Sequence, residues 1–160
     1  MRNLSLDLRP SLLDDLGLVP ALRWHVNRQA ERAGFTAVFT ADVLEARLSP
    51  DLEIACFRVV QEALTNVVRY ARAQHVLVEL RRHDTELELT IRDDGVGFDV
   101  ESALGRAMHG ASLGLLGMDE RVSLMGGQME IESEPMGGTE IRARFPLAWS
   151  SSKAKGPPVG

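Results

Sequence analysis

Apolar residues near the start of the chain recur at helical spacing. Leu22, Val26 and Ala30 lie four residues apart, which predicts a helix that begins near Pro20 and ends at Gly34. Proline suits the first turn of a helix, and glycine suits the position just after the last turn. An earlier helical piece is predicted to end or break at Pro10, because proline lacks the backbone amide donor.

Residues 50–73 carry the strongest helical pattern of the chain. Pro50 stands at the predicted start, and Asp51 and Glu53 follow in the first turn, where carboxylates complement the helix dipole. Apolar side chains at steps of three and four predict one stripe that faces the core: Phe57, Val60, Leu64, Val67 and Ala71.

Alternation of apolar and polar residues predicts four of the strands, and β-branched and aromatic residues predict the first one, at 35–41. The segments are 35–41, 75–82, 85–92, 128–133 and 139–145. A helix is predicted from about Leu113 to Met125, after a stretch at 95–112 that is interpreted as a loop. Alternating strands favour a sheet with one solvated face, so we predict an α+β fold: a two-layer α/β sandwich whose mixed, mainly antiparallel sheet is covered on one face by helices.

Composition narrows the function. The chain has 160 residues, enough for one domain with a real core, and its net charge of −5 argues against a dedicated nucleic-acid binder. A lone Cys56 excludes a disulfide framework and a multi-cysteine zinc site. Lysine occurs only at Lys153 and Lys155, near the end of the chain. This excludes a Walker A loop, a pyridoxal Schiff base and a eukaryotic-type kinase lysine.

Glu62 and Asn66 form the first candidate for chemistry. They are four residues apart and share one face of the predicted helix, away from Leu64. A carboxylate and an amide stacked there suit a hydrated Mg²⁺, which prefers oxygen ligands. The alternative interpretation is a solvated helix face.

The second candidate lies at the end of the strand predicted over 85–92. Asp93 is followed by Gly95 and Gly97, so the backbone is able to approach a flat ligand while the carboxylate accepts a hydrogen bond from it. The alternative is a tight turn, for which Asp-Gly is a common signal.

The third candidate is the segment Gly114-Leu115-Leu116-Gly117-Met118, where the last helix is predicted to begin. Glycines at a helix N-terminus expose amide donors and the positive end of the dipole, which together form an anion site that needs no lysine. The alternative is close packing at a helix start.

The order of these motifs resembles the Bergerat-type ATPase superfamily, which includes gyrase, heat-shock chaperone ATPases and sensor histidine kinases. Glu-x-x-x-Asn, Asp-x-Gly-x-Gly, Gly-x-x-Gly and Gly-Gly-Thr follow one another over residues 58–147. Within that group the chain is most similar to bacterial sensor histidine kinases of the nitrate-sensor and desaturase-sensor type. The stretches FRVVQEALTNVVRYARA, GLLGMDERVSLMGG and LRPSLLDDLGLVPALRWHV carry this resemblance, which spans about residues 3–147.

The resemblance implies a role for each motif in binding Mg-ATP. Asn66 would coordinate Mg²⁺ at the ATP phosphates, and Glu62 beside it would support the metal shell or orient a proton acceptor. Asp93 would accept from the adenine amino group. The remaining implied ATP-binding residues are Gly95 and Gly97, which leave room for the base, Gly114, Leu115 and Gly117 at the phosphates, and Thr139 in the adenine pocket.

Two further features of the ATP site follow from the same resemblance. Residues 98–113 would form the ATP lid. Arg69, one turn after Asn66, is the natural cation for a phosphate in a fold without lysine. The sequence departs from the group at Tyr70, where a histidine is common, and at Ser112, where a glycine is common.

The resemblance also implies a domain plan and partners. Residues 1–19 would be the end of a dimerisation helix and a linker, 20–148 the ATP-binding catalytic domain, and 149–160 a disordered tail. None of the four histidines has the acceptor context of the group, so the phosphoacceptor would lie on a dimerisation domain outside this sequence. A response regulator would act downstream. We expect a cytoplasmic fragment that is monomeric or weakly dimeric and contacts neither nucleic acid nor membrane.

Two other functions remain open at this point. An anti-sigma-type serine kinase shares the Asn and Asp-x-Gly-x-Gly elements, although the segment LRPSLLDDLGL argues against it. A nucleotide-sensing pseudo-kinase module is motivated by Tyr70 and Ser112. Transfer of phosphate to serine would favour the first, and tight ATP binding without any transfer would favour the second.

Overall fold

A computed structural model describes residues 11–42, 47–97 and 109–147 of the chain. The helices are α1 (Ser11–Leu16), α2 (Leu18–Ala33), α3 (Pro50–Asn66), a π-helical segment (Val67–Ala71) that continues α3, and α4 (His109–Leu124). The strands are β1 (Thr36–Ala41), β2 (His75–Arg82), β3 (Glu86–Asp93), β4 (Gln128–Ser133) and β5 (Thr139–Pro146).

The five strands form one sheet in the order β1-β2-β3-β5-β4. β1 pairs with β2 in parallel, and the other three pairs are antiparallel. One face carries the buried residues of alternating positions, such as Val78, Leu89 and Ala143, and the helices cover this face. The predicted two-layer sandwich with a mixed, mainly antiparallel sheet is therefore confirmed.

The opposite face of the sheet is charged and paired with itself. Arg142 lies within ion-pair distance of Glu88, Glu130 and Glu140, and Arg144 reaches Glu88 and Glu130. Cross-strand pairs of opposite charge suit a solvated sheet surface and add modest stability.

Local signals explain where two of the helices begin and end. Gly34 ends α2 in the left-handed region with φ 85°, and its amide donates to the Ala30 carbonyl. Ser49 caps α3 by accepting from the Leu52 amide at 3.2 Å, and Pro50 follows it in the first turn. Both boundaries agree with the sequence predictions.

Two predicted helix bounds are wrong. α4 begins at His109, four residues before the predicted start at Leu113, because its glycines lie inside the helix rather than at its end. The helix predicted over 50–73 is α-helical only to Asn66 and continues as a π-helix through Ala71. The stripe that it was predicted to present to the core is buried through Val67, and Ala71 is half-buried.

The N-terminal boundary of the ATP-binding domain, predicted at residue 20, stays a prediction. Leu13 of α1 and Leu18 of α2 nevertheless lie in the same buried core as α3, so the core extends to the N-terminal side of that boundary. Pro10, residues 98–108 of the predicted lid and the predicted tail 149–160 lie outside the described residues, whereas residues 109–113 of the predicted lid belong to α4. Within the described ranges, no helix is long and apolar enough to cross a membrane.

Candidate functional site

The three sequence motifs converge at one end of the sheet. A Cβ built on Gly114 of α4 would overlap the Glu62 carboxylate of α3. A Cβ built on Gly95, in the loop after β3, would overlap the Ala71 carbonyl at the end of the π segment. The third motif therefore lies against the first, and the second lies against the helical segment that follows the first.

Asp93 is one of the few charged residues that the described chain buries, with 8% of its surface exposed. Its Oδ1 accepts from the Gly95 amide at 2.8 Å, and the Thr139 backbone also donates to the carboxylate. Burial raises the pKa of Asp93, and these two hydrogen bonds only partly oppose that effect. The Asp93 carboxylate is therefore a buried hydrogen-bond acceptor, and no cation pairs with it among the described residues.

Thr139 faces Asp93 across the β3–β5 ladder. Its hydroxyl is 2.7 Å from the Ser133 Oγ, which in turn donates to the Gly138 carbonyl at 3.0 Å. A cavity of about 250 Å³ opens beside this cluster and has both Asp93 and Thr139 in its wall. These hydroxyls and the carboxylate give the cavity wall several hydrogen-bonding groups.

The glycines after Asp93 are required by contacts within the protein. Gly97 has φ +63°, and a Cβ on it would overlap the Glu134 carbonyl in the turn between β4 and β5. The Val96 amide between the two glycines donates to the Ala71 carbonyl at 2.7 Å, and the Val96 carbonyl accepts from the Met136 amide. The loop is therefore fixed on two sides, and the room that Gly95 and Gly97 would leave for a base stays a prediction.

Glu62 and Asn66 lie half-buried on successive turns at the end of α3. The Asn66 side chain makes no hydrogen bond to any described residue, and its oxygen together with the Glu62 carboxylate forms a donor set that suits Mg²⁺. Within the described ranges no group of three or more His, Cys, Asp or Glu is placed to hold a metal ion. A magnesium ion here would accordingly take most of its ligands from water and phosphate.

Arg69 lies in the π segment just after Asn66 and is exposed. Its guanidinium forms no ion pair with a described residue, so its charge is available to an anion. A π turn is rare, occurs frequently at functional sites, and was not predicted from the sequence. Tyr70 lies in this segment and Ser112 in the first turn of α4, but their side chains are outside the described part of the chain.

Gly114, Leu115 and Gly117 are not at the N-terminus of α4. Because the helix begins at His109, the amides that lack intrahelical partners belong to residues 109–112. Gly114 packs closely on Glu62, which agrees with the alternative interpretation given above, and the Leu115 side chain is buried in the core. The contacts of this segment with phosphate remain a prediction.

Sequence reasoning missed Asp94. Its Oδ1 accepts from the amides of Gln74 at 2.8 Å and His75 at 2.9 Å, and its Oδ2 is 2.7 Å from the His75 Nδ1. The hydrogen bonds from His75 are the main cause that lowers the pKa of Asp94 to about 2. The second aspartate of the Asp93-Asp94 doublet was the available signal, but its partners lie about twenty residues earlier in the chain.

A family model described as the histidine kinase-, DNA gyrase B- and HSP90-like ATPase matches residues 51–148. This range contains all three motifs and the whole site described above. The chain belongs to this ATPase family. Membership supports ATP as the ligand of the site and confirms the resemblance drawn from the sequence motifs.

Relatives of the chain within this ATPase family are named as histidine kinases. An uncharacterized sensor-like histidine kinase of Chloroflexus aurantiacus is 40% identical over 150 residues, which cover 92% of this chain and 25% of the relative. The signal transduction histidine-protein kinase/phosphatase DegS of Brevibacillus brevis is 39% identical over 148 residues, which cover 92% of this chain and 37% of the relative. The chain thus spans little more than a third of these proteins at most.

Solved structures of two histidine kinases share the fold. The histidine kinase domain of the blue-light activated histidine kinase of Erythrobacter litoralis EL346 superposes with a TM-score of 0.63 at 20% identity, over 82% of this chain and 61% of that one. The histidine kinase AdeS of Acinetobacter baumannii gives a TM-score of 0.63 at 13% identity, over 86% and 73%. At these identities the likeness concerns the fold alone.

Proposed function

We propose that this chain is the Mg-ATP-binding catalytic domain of a sensor histidine kinase. It would donate the γ-phosphoryl group of ATP to a histidine on a dimerisation domain outside this sequence. The observation that carries the proposal is Asp93, a buried carboxylate without a cation, placed where the motifs of an ATPase family meet. The histidine kinase names of relatives that match 92% of the chain support the choice of acceptor.

Asp93 and Thr139 would bind the adenine. The Asp93 carboxylate already accepts from two backbone amides, and a carboxylate has about four lone-pair sites, so it has capacity for the adenine amino group as well. The hydrogen-bonded pair of Ser133 and Thr139 holds the Thr139 hydroxyl beside it. Because the Asp93 carboxylate is buried, a hydrogen bond from the base to it would be stronger than one made in water.

Asn66, Glu62 and Arg69 would serve the phosphates. Bound Mg²⁺ supplies charge neutralisation at the phosphate oxygens. The Asn66 oxygen would be a direct ligand, and Glu62 would support the metal's water shell or orient a proton acceptor. The exposed Arg69 guanidinium would pair with a phosphate oxygen, because arginine binds phosphate through parallel hydrogen bonds.

The remaining features of the proposal concern the parent protein. A dimerisation domain would supply the phosphoacceptor histidine, and a response regulator would receive the phosphoryl group from it. The chain would act in the cytoplasm as a monomer or a weak dimer. Residues 20–148 would be the catalytic unit, with 1–19 connecting it to the dimerisation helices.

The test is an ATP titration of this chain with and without Mg²⁺, followed by mixing with a separately made dimerisation fragment and radiolabelled ATP. We expect binding that Mg²⁺ strengthens and a labelled phosphohistidine on the fragment. Asn66→Asp should weaken Mg-dependent binding and transfer, whereas Gln128→Glu, the same chemical change on an exposed residue of β4, should alter neither. Full Mg-dependent affinity and transfer in Asn66→Asp would show that the metal role is wrong.

A further inference from the structure

Asp94 lies between the two residues that matter most at the base end of the site, Asp93 and Gly95. The Asp94 carboxylate is occupied by hydrogen bonds to the protein itself. It accepts from the amides of His75, the first residue of β2, and of Gln74, the residue before it. The Asp94 amide also donates to the His75 carbonyl at 3.2 Å, so the contact runs in both directions.

The connection that Asp94 holds leads directly from the phosphate end of the site. Residues 72–75 join the π segment, which carries Arg69, to β2, and this connection begins with Arg72 in the left-handed region at φ 54°. A non-glycine residue in that region needs support from its surroundings. The Asp94 carboxylate supplies such support two and three residues later, through two amides and the His75 imidazole.

Ala71, just before this connection, also holds the loop that follows Asp94. The Ala71 carbonyl accepts from Val96, and the Ala71 backbone lies where a Cβ of Gly95 would be. Asp94 and Val96 therefore bind the two ends of one short segment, residues 71–75, on either side of Gly95. A shift of that segment would move Gly95, whose amide donates to Asp93.

From this geometry we propose that Asp94 is a positioning residue, which sets the place of the Asp93 carboxylate relative to the end of α3 and so determines how well the site recognises adenine. The inference rests on the proposed function, because it assigns Asp94 an effect on the base that Asp93 would bind. Asp94 touches no ligand itself. It acts by holding residues 71–75 and the Asp93–Gly95 turn in one arrangement.

The experiment compares two ligands in the full chain with Mg²⁺ present. These are ATP and purine riboside triphosphate, which lacks the 6-amino group. Asp94→Asn should weaken ATP binding about tenfold, because a displaced Asp93 carboxylate would lose part of its hydrogen bond to the 6-amino group. Binding of the analogue, which lacks that group, should stay within about twofold. The ratio of the two affinities should therefore fall. His75→Ala, which removes one of the three partners and is the milder change, should lower the ratio by about threefold.

Asp42 provides a matched control. Its Oδ2 accepts from the Arg82 amide at 2.8 Å, so it makes the same kind of bond at the far end of β2. Asp42→Asn should lower the melting temperature as a lost carboxylate–amide bond does and leave the affinity ratio unchanged. A wild-type ratio in both Asp94→Asn and His75→Ala, with only the melting temperature lowered, would overturn the positioning role. A wild-type chain that binds neither ligand, or both equally, would instead contradict the proposed function.

Discussion

The described part of the chain buries two carboxylates, Glu53 and Asp93, and treats them in opposite ways. Glu53 is 3% exposed and accepts two hydrogen bonds from Arg47, whose Nε and Nη2 lie 3.1 and 2.9 Å from the carboxylate oxygens. Asp93 is 8% exposed and receives only backbone amides. One carboxylate has its charge balanced within the fold, and the other does not.

The surroundings of each carboxylate indicate its purpose. Arg47 also donates to the carbonyls of Leu13 and Asp14 in α1, so its pair with Glu53 joins α1, α3 and the loop before α3. The hydrogen bond and the charge of Glu53 raise the pKa of Arg47. At Asp93 burial raises the pKa of the carboxyl, which is a cost to the folded chain that a hydrogen-bond donor from a ligand would relieve. A buried acid with a partner is structural, and a buried acid without one is a candidate for binding.

Asp93→Asn tests the binding half of this contrast and should have the largest effect. We expect ATP affinity to fall about 100-fold, because a hydrogen bond to a buried charge is lost. The free energy of unfolding should stay the same or rise, since the desolvated charge is removed. Isothermal titration and chemical denaturation measure the two quantities. Loss of stability with unchanged affinity would reverse the roles assigned to the two carboxylates.

Glu53→Gln tests the structural half. Removing the charge of the buried Glu53, which accepts two hydrogen bonds from the half-exposed Arg47, should lower the free energy of unfolding by about 2 kcal/mol, while ATP affinity remains within about twofold. Glu130→Gln is the matched control, because Glu130 pairs with Arg142 and Arg144 on the exposed sheet face and should cost less than about 0.5 kcal/mol. Equal losses in the two variants would mean that burial of the Arg47 pair adds nothing.

His25 extends the contrast to a buried base. It packs on Phe57 with ring centroids 5.4 Å apart, and burial, followed by the charge of Arg28, lowers the pKa of His25 to about 4. The unfolded chain binds this proton below about pH 6.5, whereas the folded chain resists it down to about 4. The contribution of His25 to stability should therefore be complete above about pH 6.5 and should fall by about 2–3 kcal/mol as the pH approaches 4. Denaturation of His25→Phe should lack this decrease, and an unchanged slope would assign it to other groups.

Arg69→Gln should give the smallest change. The guanidinium is exposed, so its attraction to phosphate is screened, and we expect ATP affinity to fall about threefold at low salt and less at high salt. Arg81→Gln, on an exposed position of β2, serves as the control for net charge. A loss of the same size in both variants would remove Arg69 from the site.

The fold was predictable where a feature depends on neighbours in sequence. Alternation along β2, β3 and β5 and the helical stripe of α3 are local patterns, and each predicted the buried face of its element. The caps at Gly34 and Ser49 are equally local. The start of α4 was not predictable in this way, because Gly114 lies inside a helix for a tertiary reason, its close contact with Glu62.

The residues of the site also differ in whether a local sequence pattern marks them. Asp93, Glu62 and Asn66 occur in short motifs, so their spacing was enough to propose them. Asp94 and Arg47 act through partners distant in sequence, at separations of 19 and 34 residues for His75 and Leu13, and no local pattern marks such bonds. The π segment after Asn66 ends against the loop at Gly95, a tertiary contact that no local pattern marks.

Deleting one residue from the Val67–Ala71 segment and inserting one residue into it should have different effects. A π-helix closes each hydrogen bond one residue further along the chain than an α-helix does, so this segment holds one residue more than an α-helical path would need. With one residue deleted, the segment is able to continue as a regular α-helix, whereas with one residue inserted it is not. The end of α3 is therefore a place where the chain accommodates shortening more readily than lengthening, the reverse of what surface loops allow.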